Sequence, residues 1–138
     1  MIICIQRYNK TMILQELMQP IEEMKRNSQY PVVVADHLGI IIDTNLHFQQ
    51  VFGWLREEII GQPLTVILPF YFRDSHQLGF SRFTATGLSS ILNHPLELKA
   101  LTKDEQEILS EHFIVAEQQN GNWIFGAILR PLSTEIDE

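Results

Sequence analysis

The sequence predicts an α+β domain: an antiparallel sheet whose helices are grouped between two sets of strands. Three observations carry that expectation. Two short β-branched runs, residues 31–35 and 40–43, flank the turn Asp36-His37-Leu38-Gly39 as the arms of a hairpin would. After Asn45 the apolar spacing changes abruptly, with Leu46, Val51, Phe52 and Leu55 falling as they do in short helical pieces. From residue 96 onward three runs return to strand-like patterning, and Asn120-Gly121 between the last two is a strong hairpin signal.

Composition bounds the rest. With 138 residues, 45% of them apolar, the chain can build one cored domain with a short appendage. A formal charge of −7 argues against nucleic acid and against an anionic membrane surface as generic partners. The single cysteine, Cys4, excludes an internal disulfide and any cysteine-based zinc site. The opening apolar run is far shorter than a signal segment, and no run approaches the ~18 apolar residues of a membrane span. A soluble, cytoplasmic chain is the expectation.

Taken in order, residues 1–8 form a short extra strand or a loose start. Between residues 11 and 27 the apolar positions Leu14, Leu17, Met18, Ile21 and Met24 keep a three-to-four spacing. Pro20 interrupts that face and Glu22 and Glu23 follow it, so two helical pieces or one kinked helix are expected. The stripe is narrow and covers one surface, either the domain's own sheet or a second copy of the chain. The polar run Asn27-Ser28-Gln29-Tyr30 divides an N-terminal helical extension, residues 1–29, from a domain spanning residues 30–132.

Inside the domain, Gly53 and Gly61 each stop a helical piece. Residues 73–86 form the longest helix, with Phe72, His76, Gly79/Phe80 and Phe83 as its apolar line and Gly87 as its end. Residues 96–101 alternate as a strand, 102–105 turn, and 108–118 form a long strand. Residues 123–129 close the sheet, and Pro131 ends the ladder. Alternation puts Ile108, Ser110, His112, Ile114 and Ala116 on one face of the long strand, and Leu109, Glu111, Phe113 and Val115 on the other. The tail, residues 133–138, is either a loose end or a linker cut short, with a Ser or Thr cap followed by acids.

One family shares these features in this order. Asp36-x-x-Gly39, Asn45, Phe52-Gly53-Trp54, Glu57/Glu58, Gly61-Gln62-Pro63, Leu68-Pro69, Arg73-x-x-His76, Thr86-Gly87 and Asn120-Gly121 through Arg130 together resemble a PAS domain, or sensory box, over about residues 30–132. Within that family the segments around Phe52-Gly53-Trp54, 61–69 and 73–83 are similar to the haem-type PAS domain of oxygen-sensing nitrogen-fixation histidine kinases. The resemblance implies a five-stranded antiparallel sheet with helices on one face, and a small-molecule or cofactor cavity between the layers. It also implies a non-catalytic sensory role in signal transduction, as in two-component regulation. The alternative is a ligand-free interaction and dimerisation module acting on a separate output protein.

His76 matches the haem-ligating position of that subgroup and lies on the inward line of the long helix. It is the candidate metal ligand, to a haem iron. Set against this is a histidine near a helix start that bonds a neighbouring loop. Arg82 matches the arginine that meets a haem propionate; taken alone it reads as a solvated helix residue. His112, on the inward face of the long strand, is a second axial ligand, a polar contact to a ligand, or a satisfied core histidine. Phe80, Phe83, Ile108, Ile114, Phe125 and Ala127 complete the expected lining. Haem leads as cofactor and flavin is the weaker candidate, because the light-sensing flavin domains resemble a motif with a helical cysteine absent here; Trp54 or Trp123 could stack a noncovalent flavin.

Departures from the subgroup are Leu96 where an arginine answers bound oxygen, Gly79 in place of a tyrosine, Asp104-Glu105 in place of an Asp-Gly turn, and Pro131 in place of an aspartate. No catalytic constellation is present: the acid pairs have no partnered base, and no phosphate loop is found. A homodimer is expected through Leu14, Leu17, Ile21, Met24, Leu109, Phe113 and Val115, with a signalling output domain or protein as a partner in trans.

Overall fold

The chain, described from a computed structural model at residues 20–87, 92–93 and 95–132, forms a five-stranded antiparallel sheet in the order β2-β1-β5-β4-β3. The strands are β1 (Val32–Ala35), β2 (Ile41–Thr44), β3 (Leu96–Leu101), β4 (Glu107–Gln119) and β5 (Asn122–Pro131). Between β2 and β3 lie α2 (Leu46–Phe52), α3 (Arg56–Ile59), two 3₁₀ turns (Leu64–Ile67 and Phe70–Phe72) and α4 (Arg73–Thr86). A further helix, α1 (Ile21–Asn27), precedes the sheet. The α+β architecture read from the sequence is the one observed.

Local chemistry fixes the first half. The Asp36 carboxylate accepts from the backbone N–H of Leu38 and of Ile40, and Gly39 supplies the positive φ (79°) that closes the turn. Asn45 joins three elements. Its side-chain oxygen accepts from Phe48 N–H at 3.0 Å, capping α2, and from Val32 N–H at 2.9 Å, while its amide donates to the Tyr30 carbonyl. Asn45→Ala strands the N–H of buried Val32 along with the cap, so a loss of about 1–2 kcal/mol is expected, read by urea unfolding. An unchanged midpoint would show that water replaces the amide freely.

The edge strand β2 is covered by its own connection: Ile41 N–H donates to the Gln62 carbonyl and Gly61 N–H to the Ile41 carbonyl, both at 2.8 Å. At the other end Asn120 (φ 54°) and Gly121 (φ 84°) make the two-residue turn that joins β4 to β5. The β3–β4 turn carries the strain the sequence suggests, since Glu105 holds φ 64° with a side chain. Glu105→Gly is therefore expected to raise the unfolding free energy by about 0.5–1 kcal/mol, with no change in far-UV circular dichroism.

Strict alternation sorts the long strands. His112 pairs with Leu129 and Ile114 with Ala127, on the helix-covered face; Phe113 pairs with Ile128 and Val115 with Gly126, on the opposite face. Two cores follow. The inner one packs Phe48, Phe52, Ile59 and Ile67 on Val33, Ile41, Ala100 and Leu129, with Ile108 at its edge. The outer one packs Ile21 and Met24 of α1 on Val32, Val34, Phe113, Val115 and Ile128.

That outer core brings four residues of the expected dimer seam together within one chain. Ile21 and Met24 cover Phe113 (2% exposed) and Val115 (8%). The physical reason is reach: α1 follows Pro20, runs across β1 and β5, and buries both of those side chains there. Glu117 on β4 accepts from the first helical N–H, that of Ile21, at 3.0 Å. Lys25 forms an ion pair with Asp43 on β2, which Arg56 of α3 also meets, at 2.7 Å. Burial pushes the Asp43 carboxyl up, but the hydrogen bonds from Lys25 and Arg56 outweigh it and hold the group below its ordinary value. Leu109 lies half-buried outside that core, and Leu14 and Leu17 fall outside the described residues, as does the tail at 133–138. Among the described residues no helix is long and apolar enough to cross a membrane.

Candidate functional site

Between α4 and the sheet lies a cavity of about 350 Å³. That is near the lower end of the range small-ligand sites occupy, roughly 300–1,000 Å³. Its helical wall is the line read from the sequence, Phe72, His76, Gly79, Phe80 and Phe83. α4 can present that line because its start is set by the 3₁₀ turn after Pro69 and its end by Gly87 in the left-handed region (φ 73°), whose N–H returns to the Phe83 carbonyl. Aromatic rings then stitch α4 to β5. Phe80 and Phe83 stand 5.2 and 5.3 Å from Phe125, and Phe83 meets Trp123 at 4.8 Å edge-on.

All eight residues singled out as cofactor-binding candidates line this one cavity: His76, Phe80, Arg82 and Phe83 from α4, His112 and Ile114 from β4, Phe125 and Ala127 from β5. Ile108, expected there as well, instead packs against the inner core. Its position two residues beyond Ser110 carries it past the end of the cavity, over Ala100. Trp54 also packs against the inner core, with the Lys103 ammonium 5.8 Å from its ring, and does not line the cavity. Residues the sequence reading did not count in the lining complete the wall, notably Leu96, named there only as a departure from the subgroup, Leu98 of β3, and Leu92, which bridges to Ile114. The alternation of β3 was the available signal for Leu96 and Leu98. Leu92 carries no periodic signal in the sequence.

The polar groups of the cavity are few. His76 is half-buried, stacks on Phe80 at 6.0 Å, and its Nδ1 has no hydrogen-bond partner among the described residues. Burial lowers its pKa. His112 is 5% exposed. Burial drives its pKa down to about 4, against a hydrogen bond to the Leu98 backbone that favours the charged form. Its Nε2 is buried without a hydrogen-bond partner among the described residues. Both rings are neutral at pH 7. Arg82 stands exposed at the rim. The arrangement can therefore hold an apolar body, accept or donate at a neutral imidazole, and offer a cation at its mouth. No group of three or more His, Cys, Asp or Glu side chains is placed to hold a metal among the described residues.

Comparison with known proteins agrees with this geometry at the level of the family. The PAS domain family model matches residues 29–133. An uncharacterised protein of Azorhizobium caulinodans is 35% identical over 106 residues, 76% of this chain but only 14% of that protein's length. Among solved structures, the PAS domain of a Colwellia psychrerythraea protein superposes with a TM-score of 0.64 at 20% identity, covering 88% of this chain and 98% of the other. The PAS domain of the Cronobacter turicensis quorum-sensing receptor RpfR, in complex with C12:0, gives 0.59 at 16% identity, covering 78% and 97%. These likenesses do not support the narrower resemblance to haem-type oxygen sensors. A sheet of this order, cupping a helix over an apolar cavity, together with a family match across most of the chain, makes this chain a member of the PAS domain family.

Proposed function

We propose that the chain is a non-catalytic sensory module whose cavity takes a small, largely apolar ligand, occupancy being read out through the sheet to α1 and to a partner in signal transduction. The observation that carries this is the cavity of about 350 Å³ between α4 and the sheet, lined by two imidazoles that each leave a buried nitrogen unpartnered among the described residues. A bare interaction module gains nothing from buried, unpartnered nitrogens, which cost about 1–3 kcal/mol each when no ligand or water meets them. The complex of the RpfR PAS domain with C12:0 shows that a related fold can take an acyl chain. The route to α1 is short, since Gly126 of β5 lines the cavity on one side and an added Cβ on the other would sit 2.9 Å from Ile21.

Native mass spectrometry of the purified chain, followed by thermal-shift titration with medium-chain alcohols and carboxylates, tests this reading. A retained or titratable ligand is expected, and Ala127→Leu, which fills the floor of the cavity, should abolish it. A chain that binds none of them and whose melting is indifferent to Ala127→Leu is the ligand-free dimerisation module instead.

Haem is the second reading, favoured by one observation: His76 Nδ1 and His112 Nε2 are both unpartnered and both line the cavity. A neutral imidazole is the form an iron ligand takes, and burial favours it for both rings; Arg82 at the rim would suit a propionate. Haem would supply redox and gas-binding chemistry there, and because a cavity of about 350 Å³ is small for a porphyrin, α4 would have to move outward to admit it. Reconstitution with haemin decides, because a Soret shift lost in His76→Ala or His112→Leu supports ligation and its absence in the unaltered chain ends it.

A further inference from the structure

One edge of the sheet is closed and the other is open. Gly61 and Gln62 meet the backbone of β2, whereas β3 ends the sheet with no strand beyond it among the described residues. The bonds around β3 fix where its backbone groups point. Thr102 N–H donates to the Gln106 carbonyl and so continues the β3–β4 ladder, while Lys103 N–H turns the other way, to the Phe52 carbonyl at 2.8 Å. The Leu109 carbonyl of β4 accepts from Leu132 N–H, on the side away from β3. Backbone groups alternate in direction along a strand. Leu96, Leu98 and Ala100 therefore bond β4, and Glu97 and Lys99 aim their N–H and C=O outward, where no described residue meets them. Both side chains are exposed, on the sheet face opposite to that of Leu96 and Leu98. Glu97 also stands directly opposite Glu111, whose carboxylate is held by Arg130 at 3.1 Å, and has no cation of its own among the described residues. Like charges set against each other across a ladder repel.

We infer that this edge pairs with the same edge of a second copy, antiparallel about a two-fold axis at Leu98, so that the two sheets run on as one. The choice of register is narrow, because outward-facing residues must pair with each other. An axis at Glu97 sets carboxylate against carboxylate, and an axis at Lys99 sets ammonium against ammonium. With the axis at Leu98, Glu97 of each copy faces the partner's Lys99, and each such pair exchanges its N–H and C=O bonds. Glu97 gains the cation it lacks, and Lys99, 3.5 Å from Glu107 of its own chain, reaches a second carboxylate. Leu98, half-buried here, meets its own copy at the closer, non-hydrogen-bonded position. Both ends of the pairing are set as well. Beyond Leu101 the Phe52 carbonyl already takes the Lys103 N–H, and Pro95, which falls opposite the partner's Leu101, has no N–H to leave unmet. The edge is its own complement in charge and in backbone direction, which selects a second copy as the occupant.

Sedimentation equilibrium of the purified chain from about 5 to 500 µM reads the association, a range suited to a short, polar contact. A monomer–dimer equilibrium is expected there. Glu97→Lys and Lys99→Glu each set like charges against each other in the homodimer, so each alone should weaken association about tenfold or more. An equimolar mixture of the two variants restores opposite charges at every pair, and its heterodimer should form within about threefold of the unaltered chain's affinity. Amide exchange by NMR gives a second readout. The N–H groups of Glu97 and Lys99 should become protected as concentration rises, while that of Leu98, bonded to β4 already, stays as it was. A chain that is monomeric throughout overturns the proposal and leaves the edge to a strand of another protein. A dimer that both variants leave intact places the contact elsewhere and overturns it too. A mixture that fails to recover overturns the register at Leu98. None of these outcomes touches the cavity reading, which ligand titration tests separately. Should either variant not fold, the exchange pattern of the unaltered chain still reads the proposal.

Discussion

Lowering the pH from 7.5 to 4 is expected to cost this domain about 3 kcal/mol through His112 alone. The ring titrates near 4 in the folded chain, against an ordinary value of 6.5. Between those two values the unfolded chain binds the proton and the folded chain refuses it, so acid favours unfolding. The contribution is complete above pH 6.5, about 2 kcal/mol is gone by pH 5, and the loss levels off below 4. The other histidine lining the cavity does not reverse this: burial also lowers His76, which adds in the same direction. Asp43, with its depressed pKa, contributes stability that is lost only as pH falls below its ordinary value of 3.8, beneath the histidine window. Urea unfolding at pH 7.5, 6, 5 and 4.5 checks the slope. In His112→Leu most of it should vanish whatever that variant's absolute stability. A curve equally steep in the variant would mean that His112 reaches solvent or meets a water when protonated.

Met24→Ala should lower the unfolding free energy by about 3 kcal/mol, in the range for large-to-small changes at fully buried sites. Met24 is 0% exposed, packed with Ile21 against Phe113, Val115 and Ile128. The diagnostic feature is how the loss depends on protein concentration. If α1 belongs to its own sheet, the loss is the same at low and high concentration, and hydrogen exchange at residues 21–27 rises with no change of mass in solution. If the helix instead crosses to a second copy, the unfolding midpoint itself must move with concentration and Met24→Ala must dissociate the dimer. The contacts of the single chain favour the first. Lys25 with Asp43, and the Ile21 N–H with Glu117, tie both ends of α1 to strands of the same molecule.

The apolar line of α4 was legible because a helix keeps its phase over four turns, so His76, Phe80 and Phe83 had to share one side. The face of β4 was legible because alternation has a period of two and admits only two assignments. Put together, those rules bring His76 and His112 to one gap before any coordinate is known. Ile108 shows where the rule stops: it has the right parity, yet the cavity ends before it, and parity carries no information about where a space closes. Phe113 and Val115 show a second limit. Their outward direction is a local property, whereas what covers them depends on a helix about ninety residues earlier in the chain.

By itself, then, the amino-acid order determined the strand and helix periods, the turns at Gly39, Gly87 and Asn120-Gly121, and which side of each element is apolar. These follow from backbone sterics and from the cost of leaving apolar surface in water, both of which act over a few residues. Only the tertiary structure decided that α1 lies on its own sheet, that a cavity of about 350 Å³ remains beneath α4, and that Nε2 of His112 is buried there without a partner among the described residues. Each of those is set by how surfaces from distant segments fit. A void or an unpartnered nitrogen belongs to no residue's own preferences, only to the distances between residues.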